Sequence, residues 1–192
     1  YGIMKPALHY HTPFELMIAV ILSAQCTDER VNKVTAGMFP AYNTPEKMLS
    51  LGLAGLEEKI RTCGLYHSKA KNILANCAML CETYHGEVPT TFDELVKLPG
   101  VGRKTANVLV SILFDTPAIA VDTHVFRVAN RLQLAEGKTP LDVEKGLQQA
   151  IPKKWWSRAH HWLIWYGRRV CKARKPLCDQ CFLSDLCPGH VH

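Results

Sequence analysis

Residues 98–110 read LPGVGRKTANVLV. Two glycines flank a valine, two cations follow at Arg103 and Lys104, and then the chain turns almost wholly apolar. Pro99 fixes its own φ and ends the segment before it. Gly100 and Gly102 can take φ > 0 and let another backbone come close. The amphipathic segment TFDELVKL (91–98) precedes the turn, so the pattern predicts two short helices joined by a glycine hairpin, spanning about residues 91–114. The second helix opens with unpaired N–H groups and the positive end of its dipole, which together attract a phosphate. Spacing alone suits a plain helical hairpin equally well. No Walker glycine–lysine pattern is present, so a nucleotide P-loop is not supported. The placement of Lys104 is the odd feature: a solvated lysine needs no seat at the mouth of an apolar helix.

Outward from this stretch the periodicity is helical nearly throughout. PFELMIAVILSAQ (13–25) is apolar on almost every side and reads as a central helix opened by Pro13. TDERVNKVTAGMF (27–39) starts with the capping pair Thr27 and Asp28, and LAGLEEKIRTCG (53–64) ends at Gly64, a plausible C-cap. In SKAKNILANCAMLCETY (68–84), Cys77 and Cys81 fall on the apolar face and read as packed thiols. Thr90 or Thr91 caps the helix that leads into the hairpin. After the break at Asp115–Pro117 come VDTHVFRVANRL (121–132), LDVEKGLQQAI (141–151) and WWSRAHHWLIWYGRRV (155–170). Trp155, Trp156, Trp162 and Trp165 read mainly as core, His160 and His161 as hydrogen-bonded structural residues. Strand signals are scarce, so the class is all-α. The break suggests a boundary, with one domain over 7–116 and a second over 117–192, joined by residues 1–6.

The 192 residues are 47% apolar and 21% charged, ordinary for a globular chain. No apolar run approaches the roughly 18 residues needed to span a bilayer, so no membrane role is expected. A net charge of +6 and a pI near 8.9 favour a polyanionic partner such as nucleic acid. Of eight cysteines, four crowd the C-terminus at Cys171, Cys178, Cys181 and Cys187. A disulfide framework would spread along a small secreted domain; a tight cluster in a longer chain points to metal in a reducing compartment. The spacing C-x6-C-x2-C-x5-C serves tetrahedral zinc and a cubane iron–sulfur cluster alike. Between the first two cysteines lies KARKPL, whose Lys172, Arg174 and Lys175 form a compact basic surface suited to phosphates.

Three motifs in register carry a family resemblance: LPGVGRKTAN, the aspartate of VDTHVFRV eighteen residues after Lys104, and the closing cysteine pattern. With PFELMIAVILSAQCTD, GLYHSKAKNI, HGEVP, HHWLIWYGR and CKARKPLC in family order, the chain resembles the endonuclease III family of DNA glycosylases over nearly its whole length. The chain begins at Tyr1, where members usually carry a further N-terminal helix. The resemblance implies a helix–hairpin–helix glycosylase fold, a six-helix domain beside a [4Fe–4S] domain, with Cys171, Cys178, Cys181 and Cys187 as ligands. It implies a bifunctional glycosylase and AP lyase of base excision repair acting on oxidised pyrimidines. The expected partner is double-stranded DNA with a damaged base or an abasic site, bound by a monomer. The expected setting is the cytoplasm, on the nucleoid in a bacterium or archaeon, or the nucleus or mitochondrion in a eukaryote.

By the same resemblance Lys104 is the nucleophile. A free lysine amine, with a pKa near about 10.4, is a poor one. The helix dipole, Arg103 and the apolar helix are expected to depress it, by charge and by desolvation. Residue by residue, a simple phosphate contact fits Lys104 as well. Asp122 sits where an N-cap belongs; the resemblance adds a catalytic carboxylate that stabilises the cationic sugar as the base departs. Gln25 reads alone as a solvated helix end and Leu65 as a core residue. The resemblance makes Gln25 fill the space of the flipped nucleotide and Leu65 wedge the opposite strand. An apolar residue on an exposed turn is the mark of such a wedge. An adenine-specific relative of the same fold generally lacks a lysine at the hairpin position. A non-catalytic helix–hairpin–helix DNA-binding protein would require neither Lys104 nor Asp122.

Overall fold

The computed structural model describes residues 7–189, and among these it contains ten α-helices, three short 3-10 turns and no strand. The chain divides into two compact units, one reaching to Leu109 and the other starting at Val110. The division falls inside a helix, upstream of the break at Asp115–Pro117 from which the sequence boundary was read. The expected joining of residues 1–6 to the second domain lies outside the described residues.

In the first unit, α1 (Pro13–Ser23) starts at Thr12, whose hydroxyl accepts from the Glu15 N–H at 3.1 Å. Its side chains are buried on every face, Leu16, Met17, Ile18, Ala19 and Leu22 completely. This is the central helix that the sequence predicts. α2 (Asp28–Met38) is capped by Thr27. α3 (Pro45–Leu49), which the sequence reading does not anticipate, and α4 (Gly52–Ile60) both pack on the 19-residue α5 (Tyr66–Tyr84). α4 stops at Ile60 with Arg61 as its cap, so Gly64 is not a C-cap but part of the turn that follows. Cys77 is fully buried, and burial pushes its thiol up to about 12. Cys81 is only half-buried, its thiol donating to Glu46 Oε1 at 3.6 Å. α6 (Phe92–Leu95), capped by Thr91, and α7 (Arg103–Leu113) flank the hairpin.

The second unit packs α8 (Thr123–Arg131), α9 (Pro140–Ala150) and α10 (Trp156–Arg169) around Ile119, Val125, Val128, Val143, Leu147, Leu163 and Tyr166. The tryptophans depart from the core reading. None of the four is fully buried: Trp156 and Trp165 lean on the core, while Trp155 pairs with the exposed Trp162 at 5.9 Å. Cations cover their outer faces, Arg158 over Trp155 and Arg169 over Trp165 at 5.2 and 5.0 Å from the ring centres. Such rings keep a wet face and gain cation–π attraction there. The buried His160 donates Nδ1–H to the Ala120 carbonyl at 2.7 Å, the structural role expected of it. Among the described residues no helix is long and apolar enough to cross a membrane.

α8 and α10 approach closely at Gly167, where a Cβ would lie 3.0 Å from His124 Cβ and 3.2 Å from Val128 Cγ2. Gly167→Leu is therefore expected to pry the two helices apart and cost about 2–3 kcal/mol, measured by urea denaturation. An unchanged midpoint would show that this contact can yield freely.

Candidate functional site

The hairpin turn rests on the first unit's core. Gly100 has φ +80°, and a Cβ there would sit 3.0 Å from Asn72 Cβ and 3.7 Å from Ile21 Cγ2. Glycine is thus required twice over, by the backbone and by space. Fully buried Asn76 donates Nδ2–H to the Pro99 carbonyl at 3.0 Å and ties the turn to α5. Gly102 differs from its expectation. It does not use positive φ, and a Cβ on it would meet nothing within 4 Å, so space above its backbone is open. Its carbonyl accepts from the Ala106 N–H at 2.9 Å as α7 begins.

Arg103 and Lys104 occupy the exposed first turn of α7, while Ala106, Leu109 and Val110 are buried on its other side. The Arg103 guanidinium lies 4.8 Å from the centre of the Phe92 ring. The expected desolvation of Lys104 is not supplied by the chain itself, because the first turn of an amphipathic helix faces solvent. Its amine is accessible to a large partner.

Two further turns carry the residues expected at DNA. Gln25 lies two residues beyond the end of α1, exposed, with φ +53°. Leu65 precedes α5 with φ +59° and is 59% exposed, so it is no core residue. The turns touch: a Cβ on Gly64 would lie 2.9 Å from the Gln25 carbonyl oxygen.

In the second unit Asp122 is the N-cap of α8. Its Oδ1 accepts from the His124 and Val125 N–H groups, both at 2.8 Å. The residue is half-buried, and among the described residues no partner for Oδ2 is found. The cap therefore aims one carboxylate oxygen without consuming the other.

Cys171, Cys178, Cys181 and Cys187 are all half-buried and line one cavity with Arg131, Tyr166, Pro176 and Leu177. The donor set fits an iron–sulfur cluster. Four thiols facing one cavity are the donor type that iron–sulfur clusters take.

Three side chains that the sequence does not single out organise this loop. Arg131 donates to the Cys171 sulfur at 3.4 Å, and to the Lys172 and Ala173 carbonyls at 2.7 and 3.1 Å. Its own carbonyl accepts from the Gly189 N–H at 3.1 Å. Tyr166 hydroxyl lies 2.6 Å from the Cys181 sulfur. Arg127, one turn before Arg131, donates to the Cys171 and Gly167 carbonyls at 3.1 and 2.8 Å. The i, i+4 spacing of the two arginines on α8 was the available signal. The loop so held presents Lys172, Arg174 and Lys175 to solvent, all three exposed.

The comparisons with known proteins agree with this geometry. Residues 18–153 match the HhH-GPD superfamily of base excision DNA repair proteins, and residues 171–187 match the iron–sulfur binding domain of endonuclease III. The second match runs from the first cysteine of the cluster to the last. Endonuclease III of Rickettsia conorii is 56% identical over 183 residues, which is 95% of this chain and 87% of the relative. The chain belongs to the endonuclease III family. The Escherichia coli endonuclease III is 53% identical over 94% of this chain and 85% of its own. A structure of a trapped endonuclease III–DNA covalent intermediate superposes with a TM-score of 0.92 at 53% identity, over 97% of this chain and 88% of that one. As a member of the endonuclease III family, the protein is a bifunctional DNA glycosylase and AP lyase of base excision repair, and it binds DNA and carries a [4Fe–4S] cluster.

Because the cluster closes a loop with little core of its own, Cys178→Ser is expected to abolish the visible absorption and iron content of the purified protein. Proteolysis should then cut within 171–187. Full retention of iron in this variant would remove Cys178 from the ligand set.

Proposed function

We propose that the protein excises oxidised pyrimidines from double-stranded DNA and cuts the strand through a Schiff base on Lys104. The observation that carries the reading is the placement of Lys104: an exposed amine on the first turn of α7, directly after a hairpin whose backbone lies open at Gly102. The hairpin and the start of α7 grip a phosphate, and the amine reaches C1′ of the extruded nucleotide. DNA itself completes the desolvation that makes the lysine nucleophilic. The amine attacks C1′, the bond from C1′ to the base breaks, and the base leaves with the electron pair and takes up a proton. Asp122 stabilises the positive sugar and accepts the proton that the lysine gives up. The C1′–O4′ bond then opens, O4′ leaving with the electron pair and taking up a proton, and the imine so formed between C1′ and the lysine nitrogen acidifies the C2′ proton, whose loss expels the 3′ phosphate by β-elimination.

Gln25 fills the vacated position in the stack and Leu65 wedges the opposite strand, a role its exposure supports. Cys171, Cys178, Cys181 and Cys187 ligate the cluster. When bound, the cluster supplies a structural crosslink, since neither base removal nor elimination transfers electrons. Lys172, Arg174 and Lys175 contact phosphates. Residues 7–116 form the domain that carries the hairpin and both insertion turns; 117–192 form the cluster domain. The protein acts as a monomer on the nucleoid, in the cytoplasm of a bacterium.

On a thymine-glycol duplex, Lys104→Gln should keep most of its DNA affinity. It should also lose the borohydride-trapped adduct and, by orders of magnitude, strand cleavage. Asp122→Asn should slow base removal while still trapping a pre-formed abasic site. Asparagine caps as well as aspartate, so this loss would be chemical rather than structural. Undiminished trapping by Lys104→Gln would assign the nucleophile to another amine.

Replacing Lys172, Arg174 and Lys175 with Ala should weaken binding alike on all sequences. Each lost phosphate contact should flatten the log–log salt slope by about 0.9. An unchanged slope in fluorescence anisotropy would leave the basic loop facing solvent alone.

A further inference from the structure

Lys69 has no role in the reading above, yet it is 5% exposed and, among the described residues, no carboxylate pairs with it. Its ammonium donates to the Leu22 carbonyl at 2.8 Å and the Ala24 carbonyl at 2.6 Å. These are acceptors that the end of α1 leaves without intrahelical partners, at the negative end of the helix dipole. Burial draws the lysine's pKa below its ordinary value. A buried ammonium is costly even when hydrogen-bonded, and an apolar side chain fills such a space with less penalty. What the charge contributes is fixed geometry.

That geometry concerns two turns at once. Lys69 lies on the first turn of α5, and its own N–H donates to the Leu65 carbonyl at 3.0 Å. Its side chain meanwhile holds the carbonyls just before Gln25. The turns also meet directly at Gly64, against the Gln25 carbonyl. Both Gln25 and Leu65 take left-handed backbone conformations, which non-glycine residues hold only where the surroundings impose them.

We infer that Lys69 is a positioning residue that locks the Gln25 and Leu65 turns into one rigid two-pronged element, so that both prongs enter the duplex together. The inference rests on the assignment of Gln25 and Leu65 to the DNA under the proposed function. Lys69 touches no reacting atom. Its loss acts on extrusion of the nucleotide, not on the lysine chemistry that follows.

The test compares the holoenzyme with its Lys69→Met variant on two substrates. One is a thymine-glycol duplex with 2-aminopurine beside the lesion; the other is a single strand with an abasic site, which requires no extrusion from a duplex. Far-UV circular dichroism and cluster absorbance verify the fold. Lys69→Met should lower single-turnover base removal from the duplex by about tenfold to hundredfold and lose the 2-aminopurine signal. Borohydride trapping on the single strand should stay at the level of the unmodified enzyme. Adding Leu65→Ala to Lys69→Met should cost little more than the worse single change, as for residues acting as one unit. An unchanged duplex rate, an equal loss on both substrates, or fully additive effects would each overturn the inference. Should Lys69→Met not fold, Gly64→Ala presses on the Gln25 carbonyl from an exposed position and undergoes the same comparison, with the same outcomes deciding. If Gln25→Ala and Leu65→Ala alone leave duplex base removal unchanged, the assignment of the prongs itself fails, and this inference with it.

Discussion

The burial of α1 on every side is the constraint on which the first unit depends. A helix with no polar face must be wrapped, and α2 and α5 contact it directly. Its C-terminal end then becomes a meeting point. Ile21 lies under Gly100 of the hairpin, Leu22 and Ala24 receive the Lys69 ammonium, and Gln25 emerges against Gly64. Hairpin, Gln25 turn and Leu65 turn are thereby tied to one rigid body. An enzyme that must extrude a nucleotide and hold it benefits from such a body, because small displacements of catalytic groups are expensive in rate.

The second unit solves a different problem. Beyond α10 the described residues form only short 3-10 turns and contribute few buried side chains. Such a segment cannot offset its conformational entropy by apolar burial. Four cysteines and the arginines of α8 take over that work. Arg131 grips the start of the loop through two carbonyls and the Cys171 sulfur, and meets its end through Gly189. A side chain on Gly189 would collide with the Arg131 carbonyl at 2.7 Å. The basic residues Lys172, Arg174 and Lys175 are consequently displayed on a loop pinned at both ends.

Much of this was legible in the sequence, for local reasons. Helix starts announced themselves through Thr27, Thr91 and Asp122, whose side chains accept from N–H groups two or three residues on. The cysteine spacing identified a metal loop because ligands on so short a segment must converge. The reading missed α3, a five-residue helix with too little periodicity to register. Gly102, expected to use positive φ, does not, and a Cβ on it would meet no contact within the chain. The reading also placed too much of the tryptophan surface in the core, since hydrophobicity alone does not say that a ring will keep a cation on its outer face.

The sequence by itself determined the all-α class and the hairpin, because each rests on neighbours in the chain; the family came from motifs in register, and the cofactor only through that resemblance, since the cysteine spacing alone suits zinc as well. Only the tertiary structure decided which way the special residues face. Leu65 is exposed although it is leucine, and Lys69 is buried although it is lysine. Both facts come from contacts between segments far apart in the chain, such as Lys69 with Leu22 and Gly64 with Gln25, whose separations are 47 and 39 positions. Burial and exposure are set by what the rest of the chain brings alongside, and no local pattern encodes that.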